Sequence, residues 1–229
     1  MSISILNRGA SGGLKPELTV IAPSGSTIDL LQNGTVVKTY TLGADETEHT
    51  FVVKIGTYTV RGILGSRAKE AEVLIDHVGR YRTEIDYRYY IVQDGAIQNG
   101  LEFEVSYYNY NTSCSGSVAY DPLYLYRKGS SETMLKLKTA VDLSGYSTLN
   151  AILSSVTTNY ANNSRFHVGV ADEGGTVLES IQHKIAASTS EPIAVALEIT
   201  ADNGRPCIWL QATTVATIGS ATVKDFWLE

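Results

Sequence analysis

Apolar and polar residues trade places at every second position along most of this chain. In RYRTEIDYRYY, Tyr81, Thr83, Ile85, Tyr87 and Tyr89 fall on one side, with Arg82, Glu84, Asp86, Arg88 and Tyr90 on the other. That period of two predicts a half-buried β-strand. After the turn signal Gln93-Asp94-Gly95, LEFEVSYYNY repeats the alternation: Leu101, Phe103, Val105 and Tyr107 oppose Glu102, Glu104, Ser106, Tyr108 and Tyr110. Both segments lie between Tyr81 and Tyr126, a stretch that holds ten of the 14 tyrosines and reads as the seam between two sets of short strands.

Upstream of the seam come ELTVIA, TIDLLQ, TVVKTYTL, HTFVVKI, TYTVRGIL and RAKEAEVLI, parted by Gly, Pro, Asn and Ser. Asn33-Gly34 between two apolar runs predicts a hairpin, because a type I′ turn needs positive φ at both central positions. Seven short strands at this spacing fit a small sandwich. Before it, residues 1–15 read as an arm: Ile3, Ile5 and Leu6 are followed by a Gly-rich run. Such an arm either docks on a partner or on a neighbouring copy, or it is a frayed terminus.

Downstream, SVAYDPLYLYR sets Leu123 and Leu125 against Tyr124 and Tyr126, and MLKLKTAVDL sets Leu135 and Leu137 against Lys136 and Lys138. STLNAILSSVTT is ambiguous by period alone. Its Ser and Thr content disfavours helix, so it is read as a strand. FHVGVAD, TVLESIQHKI, PIAVALEI, CIWLQATTV and ATVKDFWLE complete the set. The expected division is an arm over 1–15, a sandwich over 16–88 and a second sandwich over 89–229, all-β throughout.

Composition narrows the function classes. A net charge of -6 and a pI near 5.3 leave no basic footprint for nucleic acid. No apolar run has the length of a signal peptide or a membrane span, so cytoplasmic synthesis without membrane insertion is expected. The sequons at Asn33, Asn111 and Asn162 then read as turn chemistry. Cys207 lies in an apolar run and Cys114 in a Ser-rich loop, which favours two free thiols over a disulfide.

The four histidines, His49, His77, His167 and His183, are scattered, with no H-x-x-x-H and no H-E pair. No nucleophile elbow, phosphate-binding loop or C-x-x-C occurs, and the expectation is a protein that is not an enzyme and carries no cofactor and no metal. Asp172 and Glu173 in ADEGG are an acidic pair in a Gly turn. They read as a calcium site, as a hidden hydrolytic pair, or as solvated turn residues.

Five stretches carry three resemblances to known families. LTVIAPSGSTIDLLQNG and VVKIGTYTVRGILG are similar to small Ig-like or PEGA-like surface modules, which implies a spacer or adhesive unit. VDLSGYSTLNAIL and the closing ATVKDFWLE resemble galactose-binding-like, carbohydrate-binding jelly rolls, which implies two antiparallel sheets with neighbouring termini. Joined behind SILNRGASGGLKPELTV, the whole resembles accessory virion proteins of tailed bacteriophages, of the tail, baseplate or head-fibre kind.

That resemblance implies a non-enzymatic structural protein located in the virion, with other virion proteins and copies of itself as partners, in a trimer or ring. Ile3, Ile5 and Leu6 are the assembly candidates. The alternative is a carbohydrate-binding module for a host-surface glycan, using Tyr108, Tyr110 and Tyr160 as stacking rings and Asn162 as an amide partner. A competing reading gives those tyrosines to a junction between domains or between chains.

Overall fold

The computed structural model describes residues 15–109 and 114–229. It divides into two compact units, residues 1–87 and 88–229. Among the described residues every regular element is a β-strand. The expected all-β class therefore holds, and STLNAILSSVTT is a strand.

The first unit contains β1 (Glu17–Ile21), β2 (Thr27–Gln32), β3 (Thr35–Thr41), β4 (Glu48–Val52), β5 (Gly56–Leu64), β6 (Arg67–Ile75) and β7 (Arg80–Glu84). Two sheets, β4-β1-β7 and β3-β2-β5-β6, enclose a core that includes Leu18, Val20, Ile28, Leu30, Phe51, Tyr58, Val60 and Tyr81. Asn33 and Gly34 sit at φ 52° and 76°, the positive values that a two-residue β2–β3 turn demands. Asp29 is buried between β3 and β5. A bond from Arg61 (2.7 Å) and one from the Thr39 hydroxyl (2.7 Å) hold its carboxyl below the usual range.

One strand expectation needs correction. RYRTEIDYRYY alternates as read, with Tyr81, Thr83, Ile85 and Tyr87 buried, but it is not one strand. Strand pairing stops at Glu84 and resumes at Tyr89, because β7 pairs with β1 in the first unit and the next strand pairs within the second. Periodicity reports which side a residue faces and is silent about which sheet receives it.

The second unit contains β8 (Tyr89–Gln93), β9 (Ala96–Ile97), β10 (Phe103–Asn109), β11 (Ser115–Tyr120), β12 (Leu123–Lys128), β13 (Ser131–Leu137), β14 (Val141–Asp142), β15 (Thr148–Thr158), β16 (Ser164–Ala171), β17 (Val177–Ile185), β18 (Ile193–Glu198), β19 (Asn203–Ala212) and β20 (Ile218–Leu228). A six-stranded sheet runs β10-β13-β19-β16-β17 with β14 beside β19. A seven-stranded sheet runs β11-β12-β20-β15-β18 with β8 beside β20 and β9 beside β8. All their pairings are antiparallel. Their inner faces share one core, built on Leu123, Leu125, Leu135, Leu149, Phe166, Ile208, Leu210, Val223 and Phe226.

The Asp142-to-Tyr146 element opens β15 through a short turn. The Asp142 carboxylate accepts from the Ser144 backbone N–H (3.0 Å) and hydroxyl (2.7 Å), while Leu143 enters the core.

Alternation also carries Arg127 inward, on the same side as Leu123 and Leu125. Its side chain has no exposed surface, and burial lowers its pKa. The guanidinium donates to Ser131 Oγ (2.9 Å), Thr133 Oγ1 (3.1 Å) and the Tyr108 carbonyl (3.4 Å). It thereby ties β10, β12 and β13 together beneath the edge of the six-stranded sheet.

Candidate carbohydrate-binding face

The outward side chains of the six-stranded sheet form a grid whose rows follow from register. One row reads Tyr108, Glu132, Gln211, Arg165, Lys184; the next reads Ser106, Met134, Trp209, His167, Gln182; the third reads Glu104, Lys136, Cys207, Gly169, Ser180. Five strands at about 4.8 Å spacing make this face about 19 Å wide.

The middle row is aromatic. Trp209 and His167 stack with ring centroids 4.4 Å apart and planes inclined by 10°. Trp209 leans across Gly169, where a Cβ would lie 2.9 Å from the indole, so glycine is required for the close approach. Met134, Ala171, Cys207 and Trp209 form a small apolar cluster of their own on this outer side. Burial pushes the Cys207 thiol up to about 12 and leaves it unreactive.

Polar groups frame that cluster. Gln211 donates to Glu132 (2.7 Å), and its side chain beside His167 partly offsets the lowering of that imidazole's pKa. Arg165 donates to the Gln182 side-chain oxygen (3.3 Å). At the far corner Arg205 donates to Glu104 (2.7 Å), to the Leu137 carbonyl (2.6 Å) and to the Glu173 carbonyl (3.1 Å). Arg205 first, and Lys136 after it, hold the Glu104 carboxyl below its ordinary pKa. Burial depresses His167 to about 4, so the imidazole is neutral at physiological pH.

Two sheltered polar atoms on this face, Arg165 Nε and His167 Nε2, have no hydrogen-bond partner. They belong to neighbouring outward positions of β16.

The residues expected to bind sugar are only partly assembled. Tyr108 stands on the edge strand β10, half-exposed, in the first row of the grid. Tyr160 is also half-exposed, but it lies in the loop between β15 and β16, three strand spacings from β10, or about 14 Å. The two rings therefore do not form one platform. Asn162 is exposed at φ 64°, and its backbone N–H donates to Ile185.

Asn159 is spent on the fold, since its side chain bridges the Ala216 carbonyl (2.9 Å) and the Ile218 N–H (2.6 Å). Tyr110, Ile3, Ile5 and Leu6 lie outside the described residues.

Asp172 caps its own turn by accepting from the Thr176 N–H (2.8 Å). Among the described residues no cluster of three His, Cys, Asp or Glu side chains suits a metal.

Trp209, His167, Gln211 and Arg165 escaped the sequence reading. They come from β16 and β19, and nothing local in either strand announces that they meet. The available signal was that the outward positions of FHVGVAD and CIWLQA are rings and an amide instead of the charges usual on a solvated face.

No family model matches the chain, and no curated protein matches it. Among solved structures it is similar to a carbohydrate-binding module of the β-sandwich superfamily, at 17% identity over 89% of this chain and 84% of that one, with a TM-score of 0.44. It is also similar to a variant of a family 29 carbohydrate-binding module, at 12% identity over 63% of this chain and 92% of that one, with a TM-score of 0.40. A third likeness is to the enzymatically active domain of tailspike protein 4 of bacteriophage CBA120, at 12% identity and a TM-score of 0.42. That match covers 66% of this chain but only 23% of the tailspike chain. The solved structures it resembles thus include carbohydrate-binding β-sandwich modules and a phage tailspike domain.

Proposed function

We propose that the second unit is a non-catalytic carbohydrate-binding module whose ligand lies across the outer face of the six-stranded sheet. One observation carries this: the outer sheet face places the exposed Tyr108 and the part-buried His167, stacked on a buried Trp209, beside the Gln211 and Gln182 amides and leaves Arg165 Nε and His167 Nε2 sheltered and unpartnered. A buried polar atom without a partner costs about 1–3 kcal/mol, and sugar hydroxyls, which both donate and accept, recover that cost once the side chains shift to open these atoms to the ligand. Tyr108 supplies the accessible ring at the edge.

The same face gives little support to turnover. Of its carboxylates, Glu104 and Glu132 lie two rows apart, about 13 Å by strand rise, and Glu102, beside Glu104 on the same side, is paired with Lys138. Paired carboxylates in glycoside hydrolysis stand about 5–9.5 Å apart. Glu104 and Glu132 are each also held by a neighbouring donor, Arg205 or Gln211.

A glycan array probed with the intact chain tests the reading. Binding to at least one surface glycan is expected, and Tyr108→Ala and Gln182→Ala, both at exposed positions, should weaken it about tenfold with no change in thermal midpoint. Silence across the array, or binding untouched by both variants, contradicts the proposal.

The virion reading stays as the second, on a different observation. In the first unit, β3 and β4 are sheet edges that expose Val36, Val37 and Val52 beside a cleft of about 480 Å³ lined by Leu30, Val53, Tyr58 and three lysines. Exposed aliphatics on unpaired edges favour a protein contact, here with virion components or further copies of the chain. Absence of the protein from purified particles overturns it.

A further inference from the structure

Charge on the outer face of the six-stranded sheet is distributed unevenly, and the imbalance bears on the class of glycan. At the β10 end, Glu104 is matched by Arg205 and Lys136, and Glu132 by the Gln211 amide. At the β16–β17 end the outward positions are Arg165, His167, Gly169 and Ala171 on one strand and Val177, Ser180, Gln182 and Lys184 on the other. None of these is acidic. Arg165 and Lys184 are direct register partners, and the Arg165 guanidinium touches only a neutral amide oxygen, with its Nε unpartnered.

A cationic corner of this kind is out of keeping with a chain of net charge -6. Paired lysine or arginine on a solvated strand face ordinarily has a carboxylate across from it, since like charges in register repel. Arg165 is half-buried, at the outward position of β16 next to His167, and its side-chain partner is the Gln182 oxygen across the strand.

We infer that this corner receives a carboxylate, and that the glycan bound on this face is an acidic one bearing a uronate-type carboxyl group. The inference rests on the glycan-binding reading above and specifies its ligand. The carboxylate takes its place in the fork of the Arg165 guanidinium, with the Lys184 ammonium adding a second positive charge. The neutral part of the sugar chain runs over His167, Trp209 and Gln211 toward Tyr108. Guanidinium suits this because it offers two parallel donors to a planar carboxylate. The corner spans two strands only, so it selects one acid group per binding event and gives no track for a long polyanion such as nucleic acid.

Calorimetric titration of the full chain with oligosaccharides of polygalacturonate, alginate and hyaluronan, each paired with its carboxyl-reduced counterpart, tests this. At least one acidic form should bind tenfold or more tightly than its reduced form, and the advantage should shrink as sodium chloride rises from 50 to 500 mM. Lys184→Gln should remove most of that advantage while leaving the reduced form's affinity and the circular-dichroism melt unchanged, and Arg165→Gln should remove it while also weakening the reduced form. If acidic and reduced forms bind alike, or if neither variant alters the ratio, the acidic-glycan inference is wrong and the glycan-binding face stands. If none of these binds and the array is silent as well, both fall.

Discussion

The two faces of the six-stranded sheet are made by the same strands and differ in nearly everything else. Inward, Leu135, Phe166, Val168, Ile208 and Leu210 are fully buried and belong to one continuous apolar core. Outward, the intervening residues form a mixed surface of rings, amides and charges with two polar atoms left unpartnered. The inner face is interchangeable chemistry, in which volume and apolarity are what count. The outer face is specific chemistry, in which the neighbour across the strand decides what each residue can do. Stability should therefore reside mainly in one face and recognition in the other.

The largest expected effect lies on the inner face. Phe166→Ala removes a ring with no exposed surface and should cost about 3–5 kcal/mol in denaturant unfolding. Glycan affinity of the fraction that remains folded should be unchanged. A variant that kept its stability and lost binding would break the division of labour between the faces.

Next comes the pH dependence of the outer face. His167 has a pKa of about 4 in the folded chain against an ordinary 6.5, so the unfolded chain takes up the proton first. Stability is fully present above pH 6.5 and falls as pH drops toward 4, by up to about 3 kcal/mol. His167→Phe keeps a ring against Trp209 and should flatten that part of the profile, read from urea midpoints at pH 7 and pH 4.5. An unchanged slope would show that the imidazole is not sheltered as described.

Arg127 sharpens the comparison, because it is a polar group on the apolar side. Arg127→Met keeps the volume but forfeits the ties to Ser131, Thr133 and the Tyr108 carbonyl, and should cost about 2 kcal/mol. Some loss of binding should follow through displacement of Tyr108, and rescue by Arg127→Lys should be incomplete because lysine lacks the planar fork. Smaller again is the thiol test. Cys207 is on the outer face yet fully buried, whereas Cys114 is half-buried, so an aromatic disulfide reagent should titrate a single thiol in the native chain and both after denaturation. Rapid reaction of two native thiols would mean that the cluster around Trp209 opens readily.

Much of the inner face was legible in the amino-acid order, because a period of two marks which residues point inward wherever a strand packs on a core. Leu123, Leu125, Leu135, Leu137, Leu149 and Phe103 fall where alternation puts them, and the same rule carries Arg127 inward. Pairing was not legible. His167 and Trp209 stack only because β16 and β19 are neighbours in a register that aligns them, and the crossing from β16 to β19 passes through β17 and β18. Register is a property of two strands at once, and no single stretch encodes it.

The tyrosine-rich stretch contains the boundary between the two units, and its rings are dispersed: Tyr81 and Tyr87 go to the first unit's core, Tyr108 to a sheet edge, and Tyr124 and Tyr126 to the outward side of the other sheet. Tyr160, far along the chain from Tyr108, is separated from it by the width of three strands. In the same loop the Asn159 amide is consumed in holding the loop to β20 and its preceding turn.

The most direct test of the glycan-binding face is backbone and indole amide mapping of the intact chain by heteronuclear NMR during titration with a glycan it binds. The account predicts that perturbations concentrate at Trp209, Gln211, Arg165, His167, Gln182 and Tyr108, the outward positions of the six-stranded sheet, while Tyr124, Tyr126 and the loop around Tyr160 stay still. Perturbations centred on the Tyr160 loop or on the seven-stranded sheet, with Trp209 and His167 unmoved, would contradict it.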